Sequence, residues 1–197
     1  MKLYCATTNQ GKLREFRLAA QGHVEIQPLE GLERLPACVE DGATFEENAV
    51  KKALHYSVHA PGPLFADDSG LEVDALGGAP GVISARFSGS GATDRSNNAL
   101  LLDRLRGVAN RAARFVCVIA VANEGRLIGA FRGEVEGRIV EQPRGARGFG
   151  YDPLFFYEPY ACTFGEVEGE RKFQVSHRGR ALRAMLDYFD RELFQRK

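Results

Sequence analysis

Apolar positions fall along the chain in two rhythms, and the change from one to the other marks out the elements. "KLYCAT" (2–7) reads as a first strand, and "GKLREFRLAA" (11–20) as the helix after it. Residues 24–28 read as a second strand. "TFEENAVKKALHYSVHA" (44–60) predicts a helix opened by a capping box, with Thr44 as N-cap and Glu47 three positions on, and stopped by Pro61 and Pro63. "LFA" (64–66) begins the next strand, and the Asp68-Ser69-Gly70 that follows has the composition of a turn. "TDRSNNALLLDRLRG" (93–107) predicts a helix capped by Thr93 and closed by Gly107.

"RFVCVIAVA" (114–122) is apolar on both faces and predicts a central strand covered on both sides. "NEG" (123–125) suggests a hairpin turn into a long strand at 126–140. There Gly129, Gly133 and Gly137 share one face, as strong twist or close packing requires. Lys172 precedes a strand-like stretch, "FQV" (173–175). After Ser176 as N-cap, Leu182, Met185, Leu186, Phe189 and Leu193 form the apolar stripe of a final helix. Strands alternating with helices, plus one antiparallel hairpin, predict an α/β fold with a mixed sheet.

Composition narrows the function classes. The 197 residues suit a single domain, and 44% hydrophobic with 26% charged content is that of a globular protein. A formal net charge of zero argues against bulk nucleic acid or an anionic membrane as partner. The longest apolar run, "FVCVIAVA" (115–122), is too short to span a bilayer, and the N-terminus carries no stretch of signal-peptide length. The four cysteines (Cys5, Cys38, Cys117, Cys162) lie far apart without CxxC spacing, so a reduced, cytoplasmic protein is expected.

Candidate chemistry sits in four places. In "ATTNQGK" (6–12), small polar residues after a strand lead into Gly-Lys at a helix start. That is either an anion site with Lys12 as counter-charge or a plain capped helix; the Walker A pattern fails at Ala6 and Leu13. In "EDGATFEEN" (40–48), Glu46 and Glu47 are explained by the helix dipole. Glu40 precedes the helix and is the better ligand candidate. In "GFGYDP" (148–153) an aromatic on a glycine loop suits a purine face, or equally a β-turn with two core aromatics. In "KFQVSHRGR" (172–180) His177 and Arg178 stand in a first helical turn, where the dipole disfavours cations unless a ligand is near. His55 and His59 read as surface residues. These parts make up the inventory of a site for a magnesium–nucleotide.

The segments "TTNQGKLREF", "GATFEENAVKKA", "ADDSGLEVDALGGAPGVISARFSG", "PRGARGFGYDPLF" and "SHRGRAL" together resemble the Ham1-like family of inosine/xanthosine triphosphate pyrophosphatases, from residue 7 to 182. The resemblance implies an elongated mixed sheet, two lobes with the active site between them, a homodimer and Mg²⁺. It implies a triphosphate loop at Thr7, Thr8, Asn9, Gln10, Gly11 and Lys12, a catalytic and metal-binding Asp68, a substrate contact at Ser69 and a second metal carboxylate at Glu40. Phe149, Gly150, Tyr151 and Asp152 match the segment that packs on the base; Lys172, His177 and Arg178 match the residues around it. Gly165, Phe173 and Asp41 depart from the family's usual residues, and Asp41 leaves open which acid beside Glu40 meets the metal. The role of Asp67 also stays open. The alternatives are a Maf-like nucleotide pyrophosphatase and a nucleotide-binding regulator without turnover.

Overall fold

The computed structural model describes residues 2–20 and 24–195, with the side chains of residues 18, 19 and 192–195 outside that description. The strands are β1 (Lys2–Cys5), β2 (Glu25–Pro28), β3 (Leu64–Val73), β4 (Ala112–Asn123), β5 (Arg126–Ile139), β6 (Phe155–Tyr157) and β7 (Cys162–Thr163). The helices are α1 (Gln10–Ala19), α2 (Phe45–Ser57), α3 (Asp94–Arg104), α4 (Gly169–Val175) and α5 (His177–Gln195). One mixed sheet runs in the order β2-β1-β3-β4-β5-β6-β7. β1 lies parallel to β2 and β3; the pairs from β3 to β7 are antiparallel.

The two-sided apolar run of β4 does what its pattern predicts. Val116, Val118, Ala120 and Ala122 pack with Phe45, Ala49 and Ala53 of α2. Cys117, Ile119 and Val121 pack on the other face with Phe16 of α1 and Leu182 and Met185 of α5. A period of two thus feeds two helical layers from one strand. A third cluster, with Phe115, Phe155, Phe164, Leu71 and Leu101, fills the far end. α5 closes down on the sheet because Gly133 leaves room for it: a Cβ there would stand 2.3 Å from Ala181 N and His177 O. Ser176 caps α5 as expected, its Oγ accepting from Gly179 N at 3.2 Å, and Leu182, Met185 and Leu186 are buried. Leu193, the last position of the expected stripe, lies outside the residues whose side chains are described. Thr44 caps α2 through Glu47 N at 3.1 Å, but the Glu47 carboxylate answers to Ala43 N at 2.8 Å.

Two local expectations fail. The strand-like stretch after Lys172 is part of the short helix α4, closed by Lys172 N to Glu168 O and Ser176 N to Lys172 O, both at 2.9 Å. More consequentially, the Asp68-Ser69-Gly70 turn is absent. β3 continues through it, and all ten of its residues are in register with β4, from Leu64 opposite Ala122 to Val73 opposite Ala113. Gly70 serves close packing: its Cβ would meet Ser84 Oγ at 2.3 Å and Gly81 O at 2.6 Å, on the 3-10 segment Gly81–Arg86. A long buried ladder outweighs local turn chemistry.

The other edge of β3 is what positions the site. β1 is in register with it only at Leu64 and Phe65, and Ala6 N donates to Phe65 O at 2.9 Å before the chain turns away into α1. From Ala66 onward that edge faces a cleft.

Candidate active site

A cavity of about 550 Å³ opens along this edge. Its walls bring together Thr7, Thr8, Asn9, Lys12, Glu40, Asp68, Ser69, Phe149, Gly150, Tyr151, Asp152, Lys172, His177 and Arg178 from the sequence expectations. Gln10 and Gly11 stand behind them in the first turn of α1. Asp67 and Asp68 both reach the cavity, from opposite faces of β3, because neighbouring strand residues point in opposite directions and the strand has no β1 partner here.

At one end the loop after β1 delivers the positive end of α1. Asn9 caps the helix, accepting from Lys12 N at 3.1 Å, and no acidic residue in the first turn quenches the exposed amides. Lys12 Nζ donates to Asp67 Oδ2 at 2.8 Å, and Ser69 Oγ lies 3.3 Å from the same oxygen. Burial pushes the Asp67 carboxyl up, but Lys12, Arg178 and Lys52 more than offset this and hold it below the usual range. Asp67 is therefore an anion that holds cations in place.

Asp68 has a different environment. Asn48 Nδ2 of α2 donates to its Oδ2 at 3.2 Å, while its Oδ1 lies 3.5 Å from Lys52 Nζ. The same Lys52 Nζ donates to Glu40 Oε2 at 2.8 Å, so one ammonium bridges the two carboxylates. Asn48 also accepts from Gly42 N at 2.8 Å, which ties the Glu40 loop to Asp68. Burial raises the Asp68 pKa above the ordinary carboxylate value; Lys52 and Asn48 offset it only in part. Among the described residues no group of three or more His, Cys, Asp or Glu could hold a metal alone. Two hard carboxylates around one cationic point still fit Mg²⁺, which takes its other oxygens from phosphate and water.

The far wall is built from α4 and α5. Lys172 Nζ donates to Asp152 Oδ2 at 2.6 Å and to Glu15 Oε1 at 3.2 Å, and Arg178 Nη1 also bonds Glu15. Phe149 presents its ring to both cations, with Lys172 Nζ 5.2 Å and Arg178 Cζ 5.3 Å from the centroid. The aromatic pair differs in role: Phe149 presents its ring to the cations of the cavity, while Tyr151, which also lines the cavity, is anchored in the core, its hydroxyl donating to Ser84 O at 2.8 Å. His177 stacks on Phe115 at 4.8 Å. His177 Nδ1 and Arg178 Nε are buried without a hydrogen-bond partner, an arrangement that stability alone would not select.

Burial, reinforced by Arg178, Lys172 and Lys12, holds the His177 imidazole well below its usual pKa, so it is neutral at pH 7. Because the unfolded chain binds that proton more readily, stability from this group is full above about pH 6.5 and falls as pH drops below it. Melting temperatures of the parent and of His177→Gln, followed from pH 7.5 to 5, should diverge below pH 6.5. The parent should lose up to about 1.4 kcal/mol more per pH unit, and parallel curves would refute the buried neutral state.

Sequence inspection alone missed Lys52, Asn48 and Glu15. Lys52 and Asn48 carried a signal: they interrupt the buried face of α2 formed by Phe45, Ala49 and Ala53, at i, i+4 spacing. Glu15, one turn beyond Lys12 on α1, meets partners more than 150 residues away, at Lys172 and Arg178, and no local pattern marks that. His55 and His59 do lie away from the cavity; His55 Nε2 bonds Pro36 O at 2.8 Å. The four cysteines are free, and no described helix is long and apolar enough to cross a membrane.

Known proteins share this chain's sequence and architecture. A dITP/XTP pyrophosphatase of Acidobacterium capsulatum is 51% identical over 94% of this chain and 97% of its own. A protein of the same name from Thermus thermophilus is 48% identical over 96% and 92%. Among solved structures, the Staphylococcus aureus Ham1 protein superimposes with a TM-score of 0.87 at 35% identity, covering 98% of this chain and all (100%) of that one. The Ham1 family pattern matches residues 3–188. On family pattern, relatives and fold alike, the chain belongs to the Ham1 family.

Proposed function

We propose that this chain hydrolyses non-standard purine nucleoside triphosphates (ITP, dITP, XTP) to the monophosphate and pyrophosphate. This activity clears them from the nucleotide pool before they enter DNA or RNA. The observation that carries the reading is the polarity of one cavity: a helix start, Lys12 and paired carboxylates at one end, an aromatic ring with unpaired buried polar atoms at the other. Relatives named dITP/XTP pyrophosphatase, about half identical over nearly the whole chain, support it.

In the reaction, water oxygen bonds to the α-phosphorus, the bond from that phosphorus to the α–β bridging oxygen breaks, and pyrophosphate leaves. Thr7 to Lys12 cradle the triphosphate, and Lys12 holds the leaving group. Asp68, which reaches the cavity from the edge of β3, takes the proton from the attacking water directly or through a water that it orients. Asp68 and Glu40, which Lys52 bridges, are the residues that would hold Mg²⁺, and the ion would supply charge neutralisation at the phosphates. Phe149 stacks on the purine, with Gly150, Tyr151 and Asp152 shaping that wall. Ser69 contacts the substrate, and Lys172, His177 and Arg178 read the base edge.

The chain acts as one domain whose two lobes grip the nucleotide, as a homodimer in the cytoplasm. One assay separates this from its alternatives: pyrophosphate release over a nucleotide panel, with and without Mg²⁺. Magnesium-dependent release from ITP, dITP and XTP is expected. Release chiefly from other nucleotides would favour Maf-like chemistry, and binding without release would favour a regulator.

A further inference from the structure

The peptide of Gly150, beside the ring of Phe149, is gripped on both sides by one helix. Its N–H donates to Asp94 Oδ2 at 2.6 Å, and its carbonyl accepts from Asn98 Nδ2 at 3.0 Å. Asp94 and Asn98 are four residues apart on α3 and so project from the same face. Asn97, between them, donates to Ser84 O at 3.3 Å, the carbonyl that also receives the Tyr151 hydroxyl. The loop is also tied on its far side, where Asp152 Oδ2 accepts from Phe149 N at 2.9 Å, Asp152 N donates to Phe149 O at 3.3 Å and Arg147 N donates to Gly165 O at 2.9 Å, so α3 supplies the restraint on the Gly150 side alone. Gly148 and Gly150 take φ of 74° and 63°, so their own backbones do not enforce the conformation.

Helix stability does not account for the pair. Asp94 in a first turn is favoured by the dipole, but that gives it no reason to bond a residue 56 positions away. Asn98 stands mid-helix, where asparagine is a poor helix former, and its Oδ1 is buried without a partner. The bond to Gly150 O is what its side chain gains in return.

We propose that Asp94 and Asn98 clamp the Gly150 peptide and thereby position Phe149, so that they set base specificity without touching the reacting atoms. The inference rests on the proposed function, in which Phe149 is the purine platform. Lys172 and Arg178 face that ring, so displacing it shifts the base against the groups that read its edge. The base is remote from the α-phosphorus; loosening its platform therefore weakens binding more than turnover.

Asp94→Ala and Asn98→Ala are each expected to raise KM for ITP about tenfold with kcat within about threefold, and to lower the ITP-to-ATP ratio of kcat/KM about tenfold. Inhibition by inorganic pyrophosphate, which has no base, should stay within about twofold. Asp94→Asn keeps an acceptor for the Gly150 N–H and should recover most of the loss. A second readout needs no substrate: amide exchange across residues 148–152 of the free protein should quicken at least about tenfold in Asp94→Ala. Unchanged exchange overturns the clamp, as does an equal fall in kcat for every nucleotide at constant KM. If Asp94→Ala does not fold, Asn98→Ala and Asp94→Asn decide the matter by the same readouts. If the parent shows no preference for ITP, the proposed function fails, while amide exchange still decides the clamp.

Discussion

Asp68→Asn should cost at least about 10³-fold in kcat for ITP while leaving the melting temperature within a few degrees of the parent. Its neighbour should behave in the opposite way. Asn in place of Asp68 preserves shape beside Asn48 but removes the charge that faces Lys52 and, with it, the oxygen proposed to accept the water's proton. Asp67 is all but fully buried and balances the partly buried Lys12 at 2.8 Å, so Asp67→Asn leaves that ammonium without its counter-charge. Breaking such a pair costs about 3–5 kcal/mol. The Asp67 variant should therefore melt markedly earlier and bind the triphosphate poorly. Turnover and melting measured on both variants give the check, and near-normal turnover in Asp68→Asn would remove it from the catalytic role.

The second large effect is the choice of base. Arg178 Nε is a buried donor without an acceptor, beside a His177 that burial keeps neutral. In the proposed function a 6-oxo purine would bring an acceptor to the wall lined by His177 and Arg178, whereas adenine would bring an amino group, donor against donor. A site built around such a hydrogen bond rejects the mismatched ligand by about 10⁴-fold, and the ratio of kcat/KM for ITP over ATP should reach that order. Guanine keeps its 6-oxygen, so its rejection comes from the 2-amino group, through sterics or an unpaired polar atom. Comparable kcat/KM values for ATP or GTP and for ITP would overturn this account of the base wall.

What the sequence made legible follows from how local each signal is. The two-faced run of β4, the caps Thr44 and Thr93, and the stripe of α5 are written within a few residues, and the fold agrees with them. The turn expected at Asp68-Ser69-Gly70 was local too, yet a ladder to residues almost fifty positions away overrode it. That correction matters for the chemistry. No bend brings Asp67 and Asp68 to one cavity; a strand edge released by β1 exposes both of its faces. The cations show the same limit. Lys12 announced itself by its helix start, whereas Lys52 acquires meaning only once Glu40 and Asp68 converge on it.

The central claim is cleavage between the α and β phosphates of a non-standard purine triphosphate. Phosphorus NMR of ITP incubated with the protein and Mg²⁺ tests it most directly. The account predicts IMP and pyrophosphate appearing in equal amounts. Accumulation of IDP with orthophosphate would contradict it, because the attacked phosphorus would then be the γ and not the α.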